Sequence, residues 1–432
     1  MRILLGTVDV AGQITAYAEG FRRLGHQVTT VVSQRNPFYP EAQYDLEIGK
    51  TQIEWSWKAN RSIQIAELLW LCATRGFVIR HDVCVFMWAG TSLLDFNSEY
   101  PVLKALGKRI VSIFNGDDVR HWSAYSQRMA PLIRTNACVP LEKLGSSYEE
   151  DPLSRPLYNI RMAERFSDVI LSVPNQSGLA VRPYMHFFVP LDLSEYEMAI
   201  PGREIPVVVH APSSTSVKGT EAILNTLERI RADGIAFELR LLQGMSNSQV
   251  KHELTDADIV IDQLHLPLHG KLGVEAMAAG CALVTCDRHD YEPFPPARPI
   301  WHIGPENLDE KLRHILTNRD LRIQLARDGR DHVERYHDNV RVAQRIMDHL
   351  QVIAGTRYDH YPTFFAREYQ LPTGVEISPK LKRMTAEIIK RRGLPEGVDL
   401  RDMVKRGLMS ADDIKSTQTI PRWRPAAQPV EA

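Results

Sequence analysis

The chain is short of cysteine, of net charge and of long apolar runs, and each shortage excludes something. Five cysteines in 432 residues, Cys72, Cys84, Cys138, Cys281 and Cys286, are scattered and odd in number, with no Cys-x-x-Cys pair. A disulfide framework and a structural zinc site are therefore excluded as organising devices, and a reducing, cytoplasmic compartment is expected. A formal net charge of -1 lacks the positive excess of a nucleic-acid binder led by electrostatics. No apolar run approaches the roughly 20 residues of a membrane span. Residues 65–73 and 83–89, the longest candidates, read as a buried helix face and a core strand. Met1-Arg-Ile-Leu-Leu-Gly6 runs straight into a globular pattern and reads as a first strand, not a signal peptide.

What is present is alternation. Apolar strands are expected at 2–5, 28–32, 82–87, 109–114 and 169–173, with helices at 14–24, around 101–106 and at 157–166. After an irregular stretch with Pro190, Pro201 and Gly202 the pattern repeats, with strands at 207–210, 239–242, 259–261, 282–285 and 300–303. Such alternation argues for parallel sheets covered by helices on both faces. The expected units are 1–189, a linker at 190–205, a second α/β unit at 206–354 and an extension at 355–432. Helices are expected at 307–318, 320–334 and 340–353, then short basic ones at 381–392 and 400–406.

The richest segment is 257–285. It reads as a strand at 259–261, a polar loop to Gly270, a small-residue helix at 274–279 stopped by Gly280, and a buried strand at 282–285. Such a unit turns a helix N-terminus, with free N–H groups and a positive dipole end, toward a crevice at the sheet's carboxyl edge. Gly270 and Gly273 would admit a ligand close to the backbone, because no Cβ stands in the way. Glu275 falls just inside the helix, where a carboxylate can grip a ribose beside a diphosphate. A glycine-rich unit without a ligand is the plain alternative.

A second strand-to-helix turn agrees. Val207 to His210 leads into Ala211-Pro-Ser-Ser-Thr-Ser-Val-Lys-Gly-Thr220, with Thr220 placed to cap a helix at 221–232 whose Ile223, Leu227 and Ile230 recur at helical spacing. Lys218 taken alone reads as a solvated loop lysine, but its place after the first strand of an α/β half lets it meet a diphosphate as a point charge.

These two segments resemble the retaining GT-B-fold glycosyltransferases of family 4, also called group 1. Glu275-Ala-Met-Ala-Ala-Gly280 matches the family's Glu-Ala-Met-Ala-x-Gly, and Lys218-Gly219 matches its Lys-Gly. The family's first glutamate, eight residues earlier, falls on Pro267, and its arginine falls near Ser213. The resemblance extends through Gly329-Arg-Asp-His-Val-Glu-Arg-Tyr336, which has a structural role in the family. It implies an α/β fold of two Rossmann-like domains facing across a cleft, with a C-terminal helical and irregular extension. It also implies an enzyme moving a sugar from a nucleotide diphosphate-sugar to a glycan, lipid or small-molecule acceptor with retention. The alternatives are a non-transferring GT-B module that binds a nucleotide-sugar or a protein partner and, more distantly, a GT-B epimerase or phosphorylase.

The donor-site candidates are Lys218, Gly219, Gly270, Lys271, Leu272, Gly273 and Glu275, with Gln243 at the turn lining the nucleobase pocket and Gly12, beside Gln13, in the first loop. No cofactor or metal is expected. The lone Asp-x-Asp, Asp256-Ala-Asp258, enters its strand at the wrong end and reads as a solvated turn.

On the acceptor side, Ile113-Phe-Asn-Gly-Asp-Asp-Val-Arg-His121 breaks at Gly116 and sets carboxylates and a guanidinium at a strand's carboxyl edge. By resemblance Asp118, Arg120 and Asp117 are the catalytic candidates. The competing reading makes Asp117 or Asp118 the N-cap of a following helix. His210 reads equally well as a core histidine, and Asp262-Gln263 as orienting the loop more than touching substrate. In the tail, Lys380, Lys382, Arg383, Lys390, Arg391 and Arg392 fit a solvated face or a peripheral contact with anionic lipid or an acidic partner. Tyr358, Tyr361, Phe364, Phe365 and Tyr369 are expected to pack on the N-terminal domain.

Overall fold

The computed structural model describes residues 1–48, 57–90, 92–116, 118–121, 153–173, 178–266, 268–287, 295–351, 359, 364–365, 370–371, 374–415 and 420–423. Asp117 and Pro267 lie outside the described residues, as do Tyr358, Tyr361 and Tyr369.

The N-terminal sheet is parallel and has the order β3-β2-β1-β4-β5-β6-β7. Its strands are β1 (Arg2–Val8), β2 (Gln27–Gln34), β3 (Leu46–Glu47), β4 (Val83–Met87), β5 (Arg109–Ile113), β6 (Val169–Ser172) and β7 (Met185–His186). β1 runs through Val8, so the first loop begins later than the glycine at position 6 suggests. The central strands are apolar on both faces because helices cover both. On one face, helices Gln13–Arg23 and Asn339–Gln351 pack through Phe21, Val342 and Ile346 against Ile3, Val85 and Val111.

The other face is closed by helices Trp57–Arg75, Tyr100–Ala105 and Ser154–Phe166 and by the C-terminal extension. Helix Pro379–Arg392 contributes Leu381, Met384, Ile388 and Ile389 to that core, and Phe364 and Phe365 join it. Fully buried Arg161 ties the layer together, donating to Thr385 Oγ1 at 2.8 Å and pairing with Glu164 at 2.7 Å. Residues 339–351 and the extension therefore belong physically to the first domain's core. Residues 65–73 are only partly a buried face, since Leu69 and Trp70 stand exposed on the helix.

The second sheet is also parallel, in the order β12-β11-β10-β8-β9, from β8 (Val207–His210), β9 (Glu238–Leu241), β10 (Ile259–Ile261), β11 (Ala282–Thr285) and β12 (Trp301–His302). Helix Thr220–Ala232 begins one residue early, capped by Gly219 in the left-handed region at φ 73°, and the loop before it holds a one-turn helix at Thr215–Lys218. Thr220 is therefore inside the helix and does not cap it. Its hydroxyl instead meets His210 Nε2 at 2.9 Å, while His210 Nδ1 meets Ile261 O at 2.7 Å, which makes His210 a satisfied core histidine.

The two crossings between domains lie side by side. Leu191 N donates to His337 O at 2.8 Å, and Asn339 N donates to Leu191 O at 3.0 Å. Asp258 is 1% exposed, not solvated: it accepts from Val207 N at 2.8 Å and pairs with Arg203 of the linker. Arg203 and Arg240 both pair with Asp256, so Asp256-Ala-Asp258 anchors the linker to the second domain.

Candidate active site

β8, β10 and β11 end together, and the loops that follow them build one pole of the site. Helix Lys271–Ala279 starts three residues before the small-residue run suggests, so Gly270 is its N-cap and Lys271 its first residue. The N–H groups of Gly270, Lys271 and Leu272 precede the first helical bonds, which Gly273 and Val274 make to Gly270 O. The Gly270 N–H donates to Asp262 Oδ2 at 2.6 Å. Lys218, from the β8 turn, reaches the same place: its Nζ donates to Asp262 Oδ1 at 2.5 Å and to Gln263 Oε1 at 2.8 Å. A Cβ on Gly270 would sit 3.3 Å from Lys218 Nζ, so the glycine lets the ammonium reach the helix N-terminus. A cation and a positive dipole end thus converge on one spot, the arrangement that an anion requires.

Glu275 lies one turn further in and is 2% exposed. Its Oε1 accepts from Tyr196 Oη at 3.0 Å and from Asn247 Nδ2 at 2.9 Å, with Lys271 Nζ at 3.5 Å. Lys271 itself crosses the cleft. Its Nζ donates to Ala11 O at 2.6 Å and to Tyr39 Oη at 3.1 Å, and it lies 4.4 Å from the centroid of the Tyr39 ring. Burial pulls its pKa down. Gly12 is part of this contact, since a Cβ there would lie 2.6 Å from the Tyr39 ring. The domains also meet where Asn247 N donates to Phe38 O at 2.8 Å and Ser248 Oγ to Glu41 at 3.0 Å. A polar cavity of about 310 Å³ lies beside Glu275, lined by Tyr39, Tyr196, Asn247, Lys251 and Lys271.

The structure also shows what surrounds three further candidates, Gly273 and Leu272 here and Gly219 in the turn after β8. The missing Cβ of Gly273 does not face a ligand: it would stand 2.9 Å from His269 Cβ and 3.1 Å from Leu283, so this glycine serves helix-to-strand packing. Leu272 packs against the core around Val209, Leu242 and Ala276. The place of Gly219 is likewise filled by protein, with Leu264 Cβ at 2.8 Å. Gln243 is exposed on the turn after β9, beside the helix that carries Asn247.

The facing pole belongs to the N-terminal domain. Asp118 is 6% exposed and turned inward, accepting from Ala89 N at 2.8 Å, Gly116 N at 2.7 Å and Asn115 N at 3.1 Å. Burial pushes its pKa up to about 6 against those three bonds. It organises the loop after β5, and no helix follows it among the described residues, so it is not an N-cap. Arg120 behaves differently. With Gln13 and Asn115 it lines a second cavity, of about 250 Å³, between the domains. Gln13 Nε2 donates to Asn115 Oδ1 at 3.2 Å, while the buried Gln13 Oε1 has no hydrogen-bond partner.

The far wall of this cavity holds residues that the sequence reading did not pick out: Arg298, His269, His332 and His337. His337 lies 5.9 Å from His269 and 5.7 Å from His332, ring to ring. Burial lowers all three, His337 to about 4 and His332 to about 2. Arg298 pairs with Asp287 at 2.7 Å. These residues come from three separate segments, and a single sequence carries no signal of their meeting. No group of three or more His, Cys, Asp or Glu among the described residues is arranged to hold a metal ion.

Two parallel-sheet α/β domains of this order, facing across a cleft, define the GT-B fold. Sucrose-phosphate synthase from Thermosynechococcus elongatus shares it, with a TM-score of 0.55 at 13% identity over 80% of this chain and 97% of that one. The catalytic domain of starch synthase IV from Arabidopsis thaliana, bound to ADP and acarbose, is similar over 81% of this chain and 98% of that one, at 11% identity and a TM-score of 0.48. Residues 237–348, which include the whole helix Lys271–Ala279, match the family model described as glycosyl transferase-like. No curated protein matches the chain. The chain is a GT-B-fold protein that resembles the group 1 glycosyltransferases.

Proposed function

We propose that the protein is a glycosyltransferase using a nucleotide diphosphate-sugar, with retention at the anomeric carbon. The observation that carries this reading is the meeting of the Lys218 ammonium with the N-terminus of helix Lys271–Ala279 at Gly270. A diphosphate there gains charge neutralisation as its bond to the sugar breaks, with no metal needed. Glu275 would take the ribose, exchanging its bonds to Tyr196 and Asn247 for bonds to the ribose hydroxyls. That exchange requires Tyr39 and Lys271 to part, since they cross the cleft beside it.

Retention requires the acceptor hydroxyl to approach on the face that the phosphate leaves, so positioning outweighs a strong base. The cavity lined by Gln13, Asn115 and Arg120 is the place for the acceptor, a glycan, lipid or small molecule. There Arg120 neutralises negative charge and Asp118 holds the loop in shape. No helix among the described residues is long and apolar enough to cross a membrane. Exposed Lys380, Arg383, Lys390 and Arg391 form the surface through which an anionic membrane would be met, which co-sedimentation with anionic and neutral vesicles tests.

The decisive experiment supplies the purified chain with a panel of UDP- and GDP-sugars and measures nucleoside diphosphate release and binding. Release from at least one donor is expected, with the product's anomeric configuration read by NMR. Binding without release would support a non-transferring module instead, and neither binding nor release would end the reading.

A further inference from the structure

The Asp262–Lys218 contact is not explained by diphosphate binding alone. A carboxylate is an unexpected neighbour for an anion site, because its charge repels the ligand. Asp262 is nonetheless fully buried at the end of β10, with its oxygens divided between the Lys218 ammonium at 2.5 Å and the Gly270 N–H at 2.6 Å. Its own N–H is fixed by Val284 O at 2.9 Å. Gln263 braces the arrangement from the other side: its Oε1 accepts from Lys218 at 2.8 Å, its amide nitrogen donates to Leu268 O, and its carbonyl accepts from Cys286 N at 2.8 Å.

A lysine is a flexible four-carbon stem that loses rotamer freedom when it must act at one point. Two acceptors rooted in the β10 edge remove that freedom before any ligand arrives. We propose that Asp262, seconded by Gln263, is a positioning residue of the donor site. It holds the Lys218 ammonium against the N-terminus of helix Lys271–Ala279, so that the charge stands where the leaving diphosphate develops its own. This inference rests on the nucleotide-sugar reading. It adds that ground-state affinity is given up for placement in the transition state, which is where preorganised charge accelerates a reaction.

The two effects of Asp262 have opposite signs, and that makes the test selective. Asp262→Asn removes a negative charge beside the anion site, so UDP or GDP should bind as tightly as to the wild type or more tightly by calorimetry. Its kcat should fall about tenfold or more, because the ammonium is no longer held. A structural role alone would lower affinity, activity and Tm together. Lys218→Ala combined with Asp262→Asn should be no slower than Lys218→Ala alone, since Asp262 acts through that lysine. A normal kcat in Asp262→Asn, weaker nucleoside diphosphate binding, or multiplying losses in the double variant would overturn the assignment. If the wild type neither binds nor turns over any donor, the glycosyltransferase reading itself falls and takes this one with it. A wild type that is active beside a normal Asp262→Asn removes Asp262 alone.

Discussion

β5 in the first sheet and β10 in the second each run out into a loop whose buried aspartate collects backbone N–H groups. Asp118 takes three of them, from Ala89, Asn115 and Gly116, and all its described bonds are to backbone. Asp262 takes one, from the helix cap Gly270, and gives its other oxygen to Lys218. The difference is a cation. With no cation bonded to it among the described residues, the Asp118 carboxylate shapes a loop, and its backbone N–H partners only partly offset the cost of burial, which leaves its pKa raised to about 6. With one, the Asp262 carboxylate fixes a charge at a helix N-terminus. Similar sheet edges in the two domains thus yield a carboxylate bonded to backbone on one side of the cleft and a carboxylate paired with a cation at a helix N-terminus on the other.

The sharpest way to break the comparison is to remove the cation. Lys218→Ala should lower kcat by about a hundredfold to a thousandfold, the loss typical of one transition-state donor, measured by initial rates of nucleoside diphosphate release. An unchanged rate would erase the distinction between the two edges. Next in size, Glu275→Ala should weaken nucleoside diphosphate binding by about 1.5–3 kcal/mol in calorimetry, the value of a charge-assisted hydrogen bond. On the scaffold side, Asp118→Ala leaves the buried N–H groups of Ala89 and Gly116 and the half-buried one of Asn115 without their acceptor. It should lower stability by about 1–3 kcal/mol in denaturant melts, with near-normal rates per folded molecule. A stable but inactive Asp118→Ala would move this residue into the chemistry.

The histidine wall supplies a pH test. His337 and His332 are held neutral in the fold, at about 4 and about 2, against an ordinary value of 6.5. The unfolded chain therefore binds protons first, and stability present above pH 6.5 should be lost as pH falls from there toward 4. The slope is about 1.4 kcal/mol per pH unit for each histidine. Asp118 works the other way: its raised pKa contributes stability below about pH 4 that disappears as pH rises through 6. Unfolding series of His337→Gln and Asp118→Asn between pH 4 and 8 should change this slope in opposite directions. The smallest effect is expected from EDTA, which should leave the rate unchanged, whereas a strict Mn²⁺ or Mg²⁺ requirement would contradict a site run by Lys218 and a helix end.

How much of this was legible from residues alone can be followed along the chain. β8, β10 and β11 were readable to the residue, because an apolar run of three or four between polar turns leaves a strand one place to sit. The start of helix Lys271–Ala279 was not, since Lys271 and Leu272 carry no stop or start signal and the cap is a glycine without a side chain. Lys218 and Glu275 were visible as types at a spacing, but the surroundings of Gly273 were not. Whether a missing Cβ faces a ligand or Leu283 depends on what packs there.

Sequence by itself determined the alternation, the parallel sheets, the strand edges and the two residues most suited to a nucleotide. The first three follow from hydrophobic period, and the choice of Lys218 and Glu275 as nucleotide candidates from the chemistry of short local strings. Only the tertiary structure decided that Asp262 meets Lys218 across 44 positions, that Lys271 crosses to Ala11 and Tyr39, and that three histidines share a wall. It alone decided that the extension completes the first domain's core through Phe364, Leu381 and Ile389. Such contacts join segments far apart in the chain, and their free energy exists only once both sheets have formed and water has left the space between them.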